Sequence, residues 1–137
     1  MPRHSPGMIT PAERELFEHE FRQVLRTLPA PASTLLKTIP VAVDDYPSDE
    51  VRADMQVGHD ELFGLYTGTP AVERSIDQAG TPGDMIHIYR LALLQDATTR
   101  TGHIDEMRLR EQIRKTLLHE LGHYHGFDED ALDRLGY

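Results

Sequence analysis

Apolar residues near the start of the chain recur at spacings of three and four, the period of a helix that buries one face. Thr10 and Glu13 form a capping box in front of this stripe, with Pro11 at the first helical position. Pro29 follows it and blocks further helix. The pattern predicts a helix from Pro11 to about Thr27, with a stripe formed by Leu16, Phe17, Phe21, Val24, Leu25 and Leu28.

Short apolar runs that are rich in β-branched and aromatic residues predict three strands in the middle of the chain. The predicted strands are residues 39–44, 62–68 and 85–91. Residues 33–37 fit a short turn of helix, and the polar residues 45–61 fit a loop with room for one short helix. Glycine and proline punctuate residues 68–84, which we expect to form a surface loop, and residues 96–102 form a turn region.

A second long helix, here called the motif helix, is predicted from about Asp105 through His125. Its apolar stripe recurs every four residues and consists of Leu109, Ile113, Leu117 and Leu121. Two ion pairs in the favourable order support it, Glu106 with Arg110 and Glu111 with Lys115. Gly126 then offers a left-handed cap that ends the helix.

On the motif helix the chain reads H-E-L-G-H, which puts His119 and His123 four residues apart. Both imidazoles therefore lie on one helix face, about 6 Å apart along the axis, where they can reach one metal ion. Glu120 stands beside them, where its carboxylate can take a proton from a water molecule on a bound Zn²⁺ ion. A second His-Glu pair, His19 and Glu20, lacks the second histidine, and we expect it to lie on a helix surface.

The composition limits the kind of protein and the ligands that a metal can use. The 137 residues, 39% of them hydrophobic, fit one globular domain over residues 10–137, behind a flexible leader of residues 1–9. There is no cysteine, so a metal must use His, Asp or Glu. A net charge of -9 argues against nucleic acid as a partner. Neither a membrane-spanning run nor a signal-peptide pattern is present, so a cytoplasmic location is the simplest interpretation.

A catalytic zinc ion takes three protein ligands and leaves a fourth position for water. Because few residues follow the second histidine, we expect the third ligand in a compact pattern, in which a glycine turns the chain back toward the ion. Gly126 stands at the glycine position of this pattern and Glu129 at the ligand position. Asp128 and Asp130 are the alternatives. Asp128 is well placed to cap a short final helix, and Asp130 is rotated about 100° further, toward solvent.

These residues resemble the motif of the small bacterial zincin-like metallopeptidases, H-E-x-x-H-x-x-G-x-x-D, with Glu129 at the position of the usual Asp. The resemblance runs from about residue 11 to the end of the chain. Its segments are residues 65–70, 73–75, 86–91, 119–126 and 132–137. It implies a minimal zincin-like α+β fold: an N-terminal helix, a small mixed β-sheet packed on the motif helix, and a short C-terminal helix. It also implies a metal-dependent peptidase.

The function predicted from these features is zinc-dependent hydrolysis of a peptide or protein substrate, with Glu120 activating zinc-bound water to attack the scissile carbonyl. One alternative is a metal-dependent endoribonuclease, because a bacterial RNase family carries an H-x3-H-x5-H site; the residue Glu120 and the negative charge argue against it. The other alternative is a non-catalytic metal-binding module. A structural site has no need of a general base, so Glu120 argues against that as well.

Zincins commonly bind peptide as an added strand along a sheet edge. We expect the strand at residues 85–91 to be that edge or its neighbour. Within it, His87 and Tyr89 alternate onto one face. Either side chain could contact substrate, although half-buried strand residues are the commoner outcome for such a pair.

Overall fold

Five helices and three strands make up the described part of the chain, residues 9–68 and 84–124 of the computed structural model. The helices are α1 (Pro11–Thr27), α2 (Ala32–Leu35), α3 (Asp49–Met55), α4 (Arg90–Ala97) and α5 (Glu106–Tyr124). The strands are β1 (Val41–Asp44), β2 (Gly64–Thr67) and β3 (Met85–Tyr89). This α+β architecture is the predicted one; the predicted surface loop and the short C-terminal helix lie outside the described residues.

The start of α1 has the predicted capping box. The Thr10 hydroxyl accepts a hydrogen bond from the Glu13 N–H at 3.1 Å, and the Glu13 carboxylate accepts one from the Thr10 N–H at 2.8 Å. Ile9, which we had assigned to the flexible leader, is buried in the core. Ordered structure therefore begins at least one residue before the cap, and the rest of the leader lies outside the described residues.

The buried face of α1 differs from the predicted stripe at two positions. Leu25 is 38% exposed, because it lies about 100° around the helix from the buried Val24. Glu20, which we had placed on the helix surface, is fully buried. It stands three residues after Phe17 and four before Val24, so it falls on the same face as these two core residues.

The sheet is mixed, in the order β1-β3-β2. Strand β3 is parallel to β1, with Val41 opposite Ile86, and antiparallel to β2, with Gly64 opposite Ile88. The predicted strand at residues 85–91 is thus the central strand, the neighbour of both edges. Its fully buried Ile86 and Ile88 contribute to the core.

Helix α4 is the element that the sequence pattern did not predict. It begins at Arg90, directly after β3, and five of its eight residues are buried: Leu91, Ala92, Leu93, Leu94 and Ala97. A helix that is apolar on most sides lacks the one-sided period that identifies an amphipathic helix. The predicted strand therefore ran two residues too far, into the start of α4.

Helix α5 carries the motif and packs on α1, α4 and the sheet. The predicted stripe of Leu109, Ile113, Leu117 and Leu121 is buried. Arg110, expected to pair with Glu106, instead donates from Nε to the Glu20 carboxylate at 2.6 Å and so links α5 to α1. Within residues 9–68 and 84–124, no helix combines the length and the apolar character that crossing a membrane requires.

Candidate metal centre and active site

The last two described turns of α5 bring together the three residues of the predicted motif. His119 and His123 lie one turn apart, with ring centroids separated by 4.8 Å and ring planes nearly perpendicular, at 80°. The candidate ligand atoms of His119, Glu120 and His123 all lie within 4.8 Å of one another. The apolar stripe of α5 is buried, and the two half-buried histidines lie on the side of the helix away from it, whereas the buried Glu120 lies close to the stripe.

This donor set fits a zinc ion. Two nitrogen atoms bound to one zinc ion lie at most about 4.2 Å apart, so the imidazoles of His119 and His123 need little rearrangement to share an ion. Both side chains are only half-buried, which leaves access for an ion. Imidazole is among the ligands that zinc prefers in proteins, and the described residues hold no cysteine that would offer a competing thiolate set.

Glu120 connects α5 to the edge of the sheet. Its side chain is buried, with 8% of the residue exposed. Its Oε1 atom accepts a hydrogen bond of 2.8 Å from the backbone N–H of Tyr66 in β2. The Tyr66 hydroxyl in turn donates to the carboxylate of Asp84 at 3.1 Å. The candidate base is thus held against a strand that lies 54 residues away in the sequence.

Gly64 explains how β2 comes so close to α5. A Cβ atom at this position would lie 2.5 Å from the Thr116 Cγ2 atom and 2.9 Å from the His87 carbonyl oxygen. Both distances are far below ordinary van der Waals contact, so a larger residue would push the strand away from the helix. Glycine inside a strand often marks such an approach.

A cleft of about 350 Å³ opens beside His119. Residues 61–64 form one wall, and one face of α5, from Gln112 through Lys115 and His119 to Glu120, forms the other. The cleft therefore places a space for a ligand next to the His119 imidazole and the candidate base.

His87 and Tyr89 lie on the sheet face opposite the core isoleucines of β3. Their rings stack with centroids 6.3 Å apart and an interplanar angle of 11°. Burial lowers the pKa of His87, and it outweighs the negative charge of Asp44, which raises that pKa. The pKa of Tyr89 is raised by burial first and then by the charges of Asp44 and Glu120. His87 is half-buried and Tyr89 almost fully buried, so the interpretation as packed strand residues fits them better than substrate contact.

The proposed third ligand lies outside the described residues. Gly126, Asp128, Glu129 and Asp130 all follow Tyr124, the last described residue. The predicted register of the third ligand therefore stays a prediction, and so does the helix cap at Gly126.

Sequence reasoning missed the contribution of β2 to this site. The Tyr66 N–H is a backbone group, which no side-chain motif reveals, and Thr116 was not singled out. The signal that was available is Gly64, a glycine inside a predicted strand. It indicates a close approach by another element but does not say which element approaches.

The comparisons with known proteins agree with the geometry. The family model described as zincin-like metallopeptidase matches residues 36–137. The match begins after α2, so α1 lies outside it, although we had expected the resemblance to start near residue 11. No curated protein matches the chain at a significant level. A match over this much of the chain is sufficient to show that it belongs to the zincin-like metallopeptidase family, a family that implies a metal ion, typically zinc, and proteolysis.

Proposed function

We propose that this protein is a zinc-dependent peptidase whose active site is the cleft between β2 and α5. The observation that carries the proposal is the juxtaposition of His119, Glu120 and His123, whose candidate ligand atoms lie within 4.8 Å of one another. The same cleft wall includes His119 and Glu120. Binding groups and a base thus border one space that is open to a substrate.

His119 and His123 would hold the ion, with Glu129 as the third protein ligand. When bound, a zinc ion supplies Lewis-acid chemistry: it lowers the pKa of a water molecule and polarises a carbonyl group. The histidines bind the ion only in their neutral form, so affinity should fall at acid pH.

Glu120 acts as the general base in this proposal. Its carboxylate takes a proton from the attacking water molecule as the new C–O bond forms at the scissile carbonyl carbon. It then returns that proton to the amide nitrogen as the C–N bond breaks, so that the products are a free carboxyl group and a free amine. Its position at the cleft wall, held by the Tyr66 N–H, suits a group that must reach both atoms.

The substrate in this proposal is a peptide or a protein. The cleft has room for about one or two side chains beside His119. Its walls combine apolar Leu62 and Phe63 with the charged Glu61 and Lys115. The endoribonuclease alternative has less support, because a groove for RNA would be lined with cations and this wall carries both signs of charge. A cytoplasmic location also stays a proposal.

The direct test loads the purified protein with zinc and assays it against a mixed peptide library, with single-stranded RNA as a parallel substrate. We expect one zinc ion per chain, cleavage of peptides, loss of cleavage on adding a chelator, and recovery on restoring zinc. Cleavage of RNA alone would replace the proposal by the endoribonuclease alternative. Metal binding without either activity would favour the non-catalytic module.

The third ligand has its own test. Glu129→Ala should weaken zinc binding by more than about tenfold, since it removes a protein ligand. Asp128→Ala and Asp130→Ala serve as controls and should leave the zinc affinity nearly unchanged. If one of these two variants abolishes zinc binding while Glu129→Ala does not, the register taken from the family motif is wrong.

A further inference from the structure

The backbone of β2 alternates between groups that face β3 and groups that face the opposite side, which is an edge of the sheet within the described residues. The Tyr89 N–H donates to the Phe63 carbonyl at 2.9 Å, so this pair is hydrogen-bonded and the pairs that follow along the ladder alternate. Gly64 is the next residue, and Tyr66, opposite Ile86, is two further on. The N–H groups of Gly64 and Tyr66 therefore point away from β3, toward this edge.

Helix α5 meets this edge at two points that match in spacing. Gly64 and Tyr66 are about 6.7 Å apart along a strand, and Thr116 and Glu120 are about 6 Å apart along a helix. The position of a Gly64 Cβ atom lies 2.5 Å from the Thr116 methyl carbon, and the Tyr66 N–H donates to Glu120 at 2.8 Å. The spacing of the two contacts along the strand therefore matches their spacing along the helix over one helical turn.

The two contacts depend on each other. The Tyr66 N–H can reach the carboxylate only if the strand lies close to α5, and the missing side chain at Gly64 permits that distance. A Cβ atom at residue 64 would also meet the His87 carbonyl oxygen at 2.9 Å. Because that oxygen belongs to the central strand, the clash could not be relieved by rotating a side chain, and β2 would have to shift.

We infer that Gly64 and the Tyr66 backbone N–H are positioning groups for Glu120, holding its carboxylate at the wall of the cleft. A glutamate side chain has three rotatable bonds, and a fixed donor restricts them before substrate arrives. The donor is neutral, so it orients the carboxylate without supplying a formal counter-charge. This inference rests on the proposed peptidase activity and extends it to two residues of β2 that act through Glu120.

The N–H of Tyr66 can be removed by one substitution. Proline has no N–H, and it is tolerated at edge positions whose N–H does not join the ladder. Tyr66→Pro removes the donor and the phenol side chain, and its ring carbon Cδ takes the place of the amide hydrogen that faces Glu120, so it also displaces the carboxylate. The matched control Tyr66→Ala removes only the side chain. We expect kcat for Tyr66→Pro to be at least about tenfold below that for Tyr66→Ala, because misplacing a catalytic group by a fraction of an ångström costs that much. The two variants should agree in KM and in zinc content within about twofold, since neither substitution changes a proposed zinc ligand or a residue of the cleft wall.

A second pair of variants tests the spacing. Gly64→Ala should lower kcat by about tenfold while leaving the zinc content unchanged. Adding Thr116→Ser removes the methyl group that the new Cβ atom meets and keeps a hydroxyl that can still donate to the Gln112 carbonyl. We expect the double variant to recover part of the lost kcat, with the His87 carbonyl contact accounting for the remainder.

A spectroscopic readout is independent of turnover. In nitrogen-15-labelled protein without zinc, the Tyr66 amide proton should resonate downfield, as expected for a hydrogen bond to a charged acceptor. Glu120→Gln and Gly64→Ala should each move it upfield. The Leu65 amide, which joins the β2–β3 ladder, serves as the internal control and should move less.

The outcomes separate this inference from the function on which it rests. The positioning role is overturned if the parent cleaves peptides and needs Glu120, but two results fail to appear. These are a lower kcat for Tyr66→Pro than for Tyr66→Ala, and a change in the Tyr66 amide chemical shift in Glu120→Gln. If the parent cleaves no peptide while the amide does respond, the contact exists and the proposed peptidase activity fails. A loss of kcat confined to Tyr66→Pro, together with the amide shift, supports both.

Discussion

Two His-Glu pairs stand on two long helices and have different surroundings. His19 and Glu20 lie in the middle of α1, and His119 and Glu120 lie near the end of α5. Both glutamates are buried, Glu20 completely and Glu120 with 8% exposed. Burial of a carboxylate beside a histidine therefore does not by itself distinguish a structural residue from a catalytic one.

The partners of the two carboxylates make the distinction. The Arg110 guanidinium holds Glu20 at 2.6 Å across the α1–α5 interface. Among the described residues, the second oxygen of Glu20 has no hydrogen-bond partner, and His19 approaches it only to 4.0 Å. A permanent cation therefore engages that carboxylate in a charge-assisted hydrogen bond, which links the two helices.

Glu120 is held by a neutral backbone N–H and faces a cleft. A second histidine, His123, lies one turn further along α5. The corresponding position in α1 is Gln23, so His19 has no second histidine at this spacing. The comparison teaches that the useful signal is the full constellation: a second imidazole, an adjoining cleft, and a backbone donor that orients the carboxylate.

Glu120→Gln should produce the largest effect on hydrolysis. It removes the proton acceptor and keeps the side-chain volume, so kcat should fall by about 10²-fold or more while the zinc content stays the same. At temperatures below its unfolding transition, the matched variant Glu20→Gln should keep kcat within about twofold of the parental value, because Glu20 lies away from the cleft. Steady-state kinetics on both variants, with zinc measured in each sample, tests this. Equal losses of kcat in the two variants would remove the distinction between the pairs.

His119→Ala should have the next largest effect, on metal affinity. Losing one of the proposed protein ligands should weaken zinc binding by well over about tenfold, as measured by competition with a chromogenic chelator. His19→Ala is the control, and its side chain is 58% exposed on α1. We expect it to bind zinc like the parent. If His119→Ala keeps the parental affinity, the zinc ion binds elsewhere.

Local sequence patterns were sufficient to predict the helices whose signals lie within a few residues of one another in the chain. The capping box at Thr10 and the four-residue stripe from Leu109 to Leu121 identified α1 and α5, because each signal lies within a few residues of the feature it predicts. The same holds for the spacing of His119 and His123. Any regular helix through these positions brings the two rings onto one face.

The features that were missed depend on contacts between distant segments. Helix α4 is buried by elements that no local pattern reveals, and it therefore lacks a polar face. Glu20 was assigned to the surface because a charge usually lies there, and its partner Arg110 is 90 residues away. The contact of Tyr66 with Glu120 likewise required the order of the strands, which the sequence did not supply.

Substitutions at the α1–α5 ion pair should alter stability and leave the chemistry intact. Glu20→Ala should lower the free energy of unfolding by about 2–3 kcal/mol, because it removes a charge-assisted hydrogen bond and leaves a small cavity. Arg110→Ala should be more destabilising than Glu20→Gln, since it leaves a buried carboxylate without its cation. Urea unfolding of the three variants provides the measurement.

A double variant sharpens that result. Replacing a buried ion pair by apolar groups is often close to neutral, so Glu20→Leu combined with Arg110→Ala should recover most of the stability lost in Arg110→Ala. If the double variant is less stable than either single variant, the pair contributes more than the cost of burying the carboxylate, and Glu20 would be a net stabilising residue of the interface.

The smallest effect is expected at Asp45, a partly exposed carboxylate that also links separate elements. Arg14 of α1 and Arg90 of α4 both pair with it. Partial burial raises the pKa of Asp45, but hydrogen bonds and charge from the two guanidinium groups outweigh this, and the net pKa is below the ordinary 3.8. The folded state therefore binds this proton less readily than the unfolded state, so the pairing stabilises the fold above about pH 4 and is lost as the pH falls through the lowered pKa.

Asp45→Asn should accordingly cost no more than about 1 kcal/mol of unfolding free energy at pH 7, since partly exposed ion pairs are screened by solvent. The difference between parent and variant should shrink in urea titrations as the pH is lowered from 5 to about 3, where the parent carboxylate also becomes protonated. Asp49→Asn, whose side chain is 97% exposed in its pair with Arg52, is the control and should change little at any pH. A difference for Asp45→Asn that stays constant over this range would mean that the side chain acts through its shape and hydrogen bonds, and that its charge contributes nothing to holding α1 and α4 against β1.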